Sequence, residues 1–298
     1  MDAPRGRLRT LFAYLTRDKL AFAATIYLVI LLFAVIFGPL LIGDAALRLG
    51  LRQRNLAPFQ FQHDWIYFLG ADTLGRSILA RLIVGAQNTL GIAAAAVFCS
   101  MLVGGVLGLI AGYSERWYSQ VILRMADIIM SFPSLLLALI VLYTLGPSVT
   151  NVIIVLAITR IPIYLRTTRA EVLELRERMF VSAAISMGAK PLRIVLRHIA
   201  PLVLPTLITI GAIDFATVIL AESSLSFLGL GIQPPAFTWG AMVANGRGYL
   251  ASAWWIAFWP GLAIMLTTLS LNILSSWART IADPQQRWRL QKLRKAPR

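Results

Sequence analysis

Residues 128–159 read IIMSFPSLLLALIVLYTLGPSVTNVIIVLAIT, 32 residues without a charge. As one helix rising 1.5 Å per residue the stretch would measure about 48 Å, well beyond a hydrocarbon core of about 30 Å. Gly146-Pro147 stands where a tight turn would divide it. Two crossings are therefore expected, near 121–145 and 149–165, joined by a short hairpin. Outward from this pair the same criterion finds Leu20–Ile42, Asn88–Tyr113 and Ile199–Ala221, the last interrupted only by Asp214. The uncharged stretch Gly248–Ala278 opens with Trp254, Trp255 and Trp259, an interfacial belt leading into a helix over 253–277. The expectation is an all-α integral membrane protein of about six transmembrane helices: 20–42, 88–113, 121–145, 149–165, 199–222 and 253–277.

Composition agrees. The 298 residues are 58% hydrophobic and 14% charged, against roughly 45–50% and 25% in soluble domains. Mean hydropathy is +0.74. The formal charge of +15 would suggest nucleic acid in a soluble protein, but here the basic residues flank apolar runs, and orientation in a lipid membrane accounts for them. Basic residues gather in the N-terminal tail 1–19, in 166–200 and in the tail 279–298, three segments that fall on one face of a six-span protein. That face is read as cytoplasmic, with both termini on it. The 43–87 loop, with five arginines, runs against the rule, and Arg76 and Arg81 are expected on an amphipathic helix at the outer surface. Cys99 is the single cysteine, and His63 and His198 lie far apart, so neither a disulfide nor a metal site is expected.

Arg166–Pro201 is too polar to cross a bilayer and too long for a plain connection between bundle helices. Apolar positions from Ala170 to Ile185 recur among Glu171, Glu174, Arg176, Glu177 and Arg178; Gly188 interrupts, and a second amphipathic piece follows from Lys190 to His198. Two short helices hinged at a glycine make a knob suited to a partner's groove. Periodicity alone suits equally an amphipathic hairpin lying on anionic lipid.

The residues also carry a resemblance. Phe180-Val181-Ser182-Ala183-Ala184-Ile185-Ser186-Met187-Gly188, ending in Arg197-His198-Ile199-Ala200-Pro201, resembles the EAA loop of ABC importer permeases. Leu69–Arg76 with Arg81, Asp127 with Phe132-Pro133-Ser134, and Leu225-Ser226-Phe227-Leu228-Gly229-Leu230-Gly231-Ile232-Gln233-Pro234-Pro235 are similar to the dipeptide/oligopeptide/nickel branch, specifically the second of its two permeases. The resemblance implies a type I ABC importer permease fold, a coupling loop over 166–200, and contact with an ATPase subunit through Ser182, Ala183, Ala184, Gly188, Lys190 and Arg193. Ser182 stands where the family usually has glutamate. Implied partners are a second homologous permease, two cytoplasmic ATP-binding subunits, an extracytoplasmic solute-binding protein and a peptide substrate, in the cytoplasmic (inner) membrane of a bacterium. No G-x-x-x-x-G-K-[ST] segment occurs in the sequence, so ATP and Mg²⁺ belong to the partner subunits and no catalytic residue or cofactor is assigned here.

Within the crossings, Asp214, Glu222 with Ser223, and Asp127 are candidate pathway or gate residues, because an ionised side chain in a membrane needs a partner or a wet cavity. For Asp214 a helix–helix contact serves equally well. For Asp127 a local ion pair with Arg124, three residues away on the same helix face, is the favoured reading. Gly104, Gly108 and Gly112 repeat the G-x-x-x-G spacing of a close helix seam. Ser223–Gly246, uncharged and rich in Gly, Pro and Ser, reads as a re-entrant or gate-like element at the outer mouth. The competing function is a stand-alone secondary transporter or channel, but the chain shows neither an internal repeat nor a series of intramembrane carboxylates.

Overall fold

The uncharged runs become helices, though not always with the expected ends. A computed structural model describes residues 14–114 and 116–282; most of the expected tails 1–19 and 279–298 lies outside the described residues. The long helices are α1 (Lys19–Ile42), α2 (Ile78–Tyr113), α3 (Trp117–Ser131), α4 (Ser134–Leu145) and α5 (Val149–Arg176). After them come the short α6 (Met179–Ser186) and α7 (Pro191–Ile194), then α8 (Ala200–Phe227), α9 (Trp239–Gly246) and α10 (Trp255–Ala282). Five spans are long and apolar enough to cross a membrane, or six if the bent pair α3–α4 counts as one.

Three boundaries correct the sequence reading. The helix expected over 121–145 is two helices bent by 90°. Pro133 has no amide proton and clashes with a helical neighbour, so Phe132 adopts φ −96°, ψ 138° and the chain turns. The helix expected over 149–165 continues to Arg176. No glycine or proline stops it there, and its last turns carry Arg166, Arg169, Glu171 and Glu174 on a polar extension of the apolar rod. The loop expected over 166–200 is shortened accordingly. At the other end, the helix expected from residue 88 begins at Ile78, where the Ser77 hydroxyl caps it by accepting the Ala80 N–H at 3.1 Å. Gly146, at φ +82°, makes the expected turn between α4 and α5.

α2 and α5 form the central pair. Gly104, Gly108 and Gly112 face α5 so closely that a Cβ on Gly104 would lie 2.7 Å from the Ile161 carbonyl, and one on Gly112 2.7 Å from Val172 Cβ. Absence of side chains lets the backbones approach, which is how helices gain dispersion energy where lipid removes the hydrophobic driving force. α8 lies against both, α1 and α10 flank them, and α3–α4 pack on α5. Ile92, Val97, Leu142, Val152, Val155, Ile219 and Leu225 fill the shared core. The outer face of α1, with Val29, Ile30, Phe33 and Leu40 exposed, is apolar throughout, as a lipid-facing surface should be. Gly108→Leu is expected to force the seam apart, because its Cβ alone would fall 2.5 Å from Thr168 Cβ. Overpacking of this kind costs about 1–3 kcal/mol, and a lower thermal midpoint of the detergent-purified protein would register it.

The ends of the bundle are distinct. Lys19, the α5–α6–α7 turn and the end of α10 share one; the Asp72–Arg81 segment, the 228–238 loop and α9 share the other.

Candidate functional site

At the first end the chain makes an elbow. α6 stops at Met187, and Gly188 takes φ +78°. The Ala189 N–H reaches back to the Ala184 carbonyl at 3.0 Å and the Gly188 N–H to the Ile185 carbonyl at 2.9 Å. This is a Schellman closure with glycine at its left-handed position, so a Cβ there is disfavoured by backbone geometry even though open space surrounds it. Pro191 then starts α7, which passes through a π-helical turn, Val195–Ile199, into α8. One face of the elbow is anchored: Val181, Ala184, Ile194 and Ile199 are buried against Tyr164, Val172 and Val203. The solvent side carries large bare apolar side chains among small and polar ones. Met179 is 87% exposed, Met187 81% and Leu192 69%, with Ile185 beside them.

The sequence-selected residues divide along these faces. Ala184 is buried and serves the anchor; Ser182, Ala183, Gly188, Lys190 and Arg193 are exposed. The exposed apolar side chains thus share the elbow with the exposed cations Lys190 and Arg193, a mixed composition found in docking surfaces. Gly188→Val is expected to cost about 1–2 kcal/mol of backbone strain and to raise proteolytic nicking after α6, measurable as a faster cleavage rate of the intact protein in detergent.

Midway along the bundle, α5 and α8 share a polar cluster. The Tyr164 hydroxyl donates to Asp214 Oδ2 at 3.1 Å, and Arg160 Nε lies 3.4 Å from Asp214 Oδ1. Tyr164 is fully buried and Asp214 nearly so. Arg160 and Tyr164 escaped the sequence reading. Arg160 sat inside an expected crossing, and the need of an intramembrane charge for an opposite one was the available signal. Asp127 joins neither Asp214 nor Glu222. It pairs across to Arg166 on α5, and Arg124 stands off at 3.9 Å, so the expected local pair is the weaker contact.

At the opposite end of the bundle Glu222 is fully buried in α8. Its Oε1 accepts the Ser226 hydroxyl at 2.6 Å; Thr238, 3.1 Å from Ser226 Oγ, caps α9 by accepting the Ala241 N–H. Trp239 is tied to α2 through Thr89 Oγ1 and the Leu82 carbonyl, and Asn88 reaches the Phe237 carbonyl. Gly240 packs so tightly on Ser223 that a Cβ would meet its Cα at 2.6 Å. The expected gate-like segment is therefore three parts: the end of α8, a loop over 228–238, and α9 seated on α2. Arg76 and Arg81 do not ride an exposed amphipathic helix. Arg76 lies in the loop, 2.7 Å from Asp72 Oδ2, and Arg81 is buried in the first turn of α2. The Asp72 turn has drawn both arginines inward.

Apolar helices of spanning length with an exposed elbow at one end define a multi-pass membrane protein. Residues 104–288 match the family described as the binding-protein-dependent transport system inner membrane component, and the chain belongs to that family. It is accordingly a multi-pass inner-membrane permease subunit of an ABC importer, with a type I permease fold that is helical throughout its spans among the described residues. Among its relatives, the dipeptide transport system permease protein DppC of Alkalihalophilus pseudofirmus is 37% identical over 94% of this chain and 90% of its own. The glutathione transport system permease protein GsiD of Escherichia coli is 38% identical over 90% of this chain and 88% of its own. The inward-facing methionine ABC transporter MetNI shares the fold at a TM-score of 0.54 and 18% identity, covering 67% of this chain and 93% of that one.

Proposed function

We propose that this chain is one half of a peptide-importing pore, paired with a second homologous permease and driven through its elbow by two cytoplasmic ATP-binding subunits. Mg²⁺ and ATP bind those subunits, and an external solute-binding protein delivers the peptide. The observation that carries the reading is the set of exposed apolar side chains on the elbow, Met179, Ile185, Met187 and Leu192, on a scaffold whose other face is fixed by Ala184 and Ile194. A rigid knob transmits displacement, and the exposed face gives the motor something to hold. ATP binding would close the motor pair and shift the pore between inward and outward access, a population shift between two packings. Lys19, Ala282 and the elbow share one end of the bundle, which supports cytoplasmic termini together with the basic charge of that end. Peptide as the cargo follows from the DppC relative's name and from the length over which the two chains agree.

In proteoliposomes, uptake of a labelled dipeptide is expected only with ATP, the ATP-binding subunits and the second permease together. Met187→Cys is expected to crosslink to an ATP-binding subunit. Gradient-driven uptake by this chain alone would overturn the reading in favour of a stand-alone transporter.

A further inference from the structure

At the end of the bundle away from the elbow, a cleft of 560 Å³ opens between the 228–238 loop, α9 and the start of α2. Three guanidinium groups line it, those of Arg76, Arg81 and Arg247, and no acidic side chain does among the described residues. Arg81 is 4% exposed. Its guanidinium lies over the Phe237 ring, 4.0 Å from the centroid, and its Nη1 is buried with no hydrogen-bond partner. Among the described residues Asp72 is the carboxylate that pairs with it, at 3.9 Å from Nε. That carboxylate is already committed: Oδ1 accepts the Leu74 and Arg76 amides, both at 2.9 Å, and Oδ2 takes Arg76 Nε at 2.7 Å. A guanidinium has donors only, in a fixed fork that matches a carboxylate, and a buried donor without an acceptor is a costly arrangement unless a ligand completes it.

We propose that this cleft receives the free carboxylate of a short peptide, with Arg81 supplying the buried fork and Arg76 and Arg247 the surrounding positive charge. The inference rests on the peptide-import reading for the identity of the ligand. The volume is that of a small-ligand site, about 300–1,000 Å³. Arg81 lines the concavity while being itself 4% exposed, so its charge sits at the inner wall rather than on an exposed rim, which favours a small anion over an acidic patch of a docked protein. Asn245, also lining the cleft, offers an amide group for the remaining polar atoms of a peptide backbone, whereas Gln233 Nε2 is held by the Gly229 and Gly231 carbonyls and only its Oε1 is left to accept.

The test uses the complete importer in nanodiscs without its binding protein. Arginine modification by phenylglyoxal is followed by mass spectrometry in the presence of alanyl-phenylalanine or its C-terminal amide, each at millimolar concentration. The free acid is expected to slow modification of the accessible lining arginines, Arg247 and Arg76, about fivefold, and the amide to leave the rates unchanged; equal protection by both, or none, overturns the proposal. This readout needs no transport, so it stands apart from failure of the import reading. In proteoliposomes with the binding protein, Arg81→Gln and the exposed Arg247→Gln are each expected to lower the ratio of acid to amide uptake about tenfold. The same binding protein serves every arm, so its own preference cancels. An unchanged ratio overturns the proposal, as does a uniform loss accompanied by weaker capture of the binding protein, which would make the cleft a docking surface.

Discussion

Replacing both Met187 and Leu192 by aspartate is expected to strip the ATP-binding subunits from the permease and reduce peptide uptake to the level seen without ATP. Both side chains are mostly in solvent in this chain, so the folded bundle should tolerate the change. Central apolar anchors of an interface typically contribute about 2 kcal/mol or more each on truncation, and a charge placed there adds the cost of burying it unpaired. Two such changes correspond to roughly a thousandfold loss of affinity at about 1.4 kcal/mol per tenfold. Co-purification of the motor subunits on the tagged permease reads the loss, and membrane insertion of the variant checks that the fold survives. Ala184→Leu makes the contrast. Ala184 is 3% exposed against α5 and α8, so the larger side chain should displace the elbow from its anchor and abolish coupled uptake by moving the docking face. Retained uptake in the double aspartate variant at normal expression would remove the elbow from the mechanism.

How much of this could be read from the chain depends on which physics set each feature. Hydropathy made five of the expected crossings and their order legible, because an uncharged run of twenty or more residues has few alternatives in a bilayer; the sixth, over 121–145, is the bent pair. The glycine seam was legible from its spacing, and the hinge at Gly188 from a breaker between two amphipathic pieces. The bend at Phe132-Pro133 was present in the sequence but hidden within a run whose hydropathy does not change across it; the proline, not the polarity, decided the geometry. The extension of α5 to Arg176 was obscured for the opposite reason. Charge marks where a helix leaves the apolar layer, not where it stops. Pairings between distant segments were the least legible. Nothing local announces that Asp127 meets Arg166 or that Arg81 faces Phe237, since each contact is set by the packing of α2, α3 and α5 and by the loop seated over them.

Asp214→Ala is expected to produce the second large effect, a loss of folded protein from the membrane, because it leaves the Arg160 guanidinium and the Tyr164 hydroxyl without their acceptor at the α5–α8 contact. Removing one member of a buried pair costs about 3–5 kcal/mol, chiefly through the uncompensated charge that remains. Arg160→Met paired with Asp214→Leu, made in a Tyr164→Phe background so that no hydroxyl is orphaned, removes both charges and refills the space, and such apolar replacements of buried pairs are often neutral. Two roles for Asp214 part company at this double variant. A lock between helices needs only the packing, so folded yield and peptide uptake should both return. A pathway group needs the carboxylate itself, so yield would return and uptake would not. The geometry favours the lock: both Asp214 oxygens are turned to α5, one toward Tyr164 and one toward Arg160, and the side chain is nearly sealed from solvent. The expected result is therefore restored uptake in the double variant with neither single variant folding well, measured by size-exclusion yield and by ATP-dependent uptake in the same proteoliposomes. A folded double variant that cannot transport would place Asp214 in the translocation path.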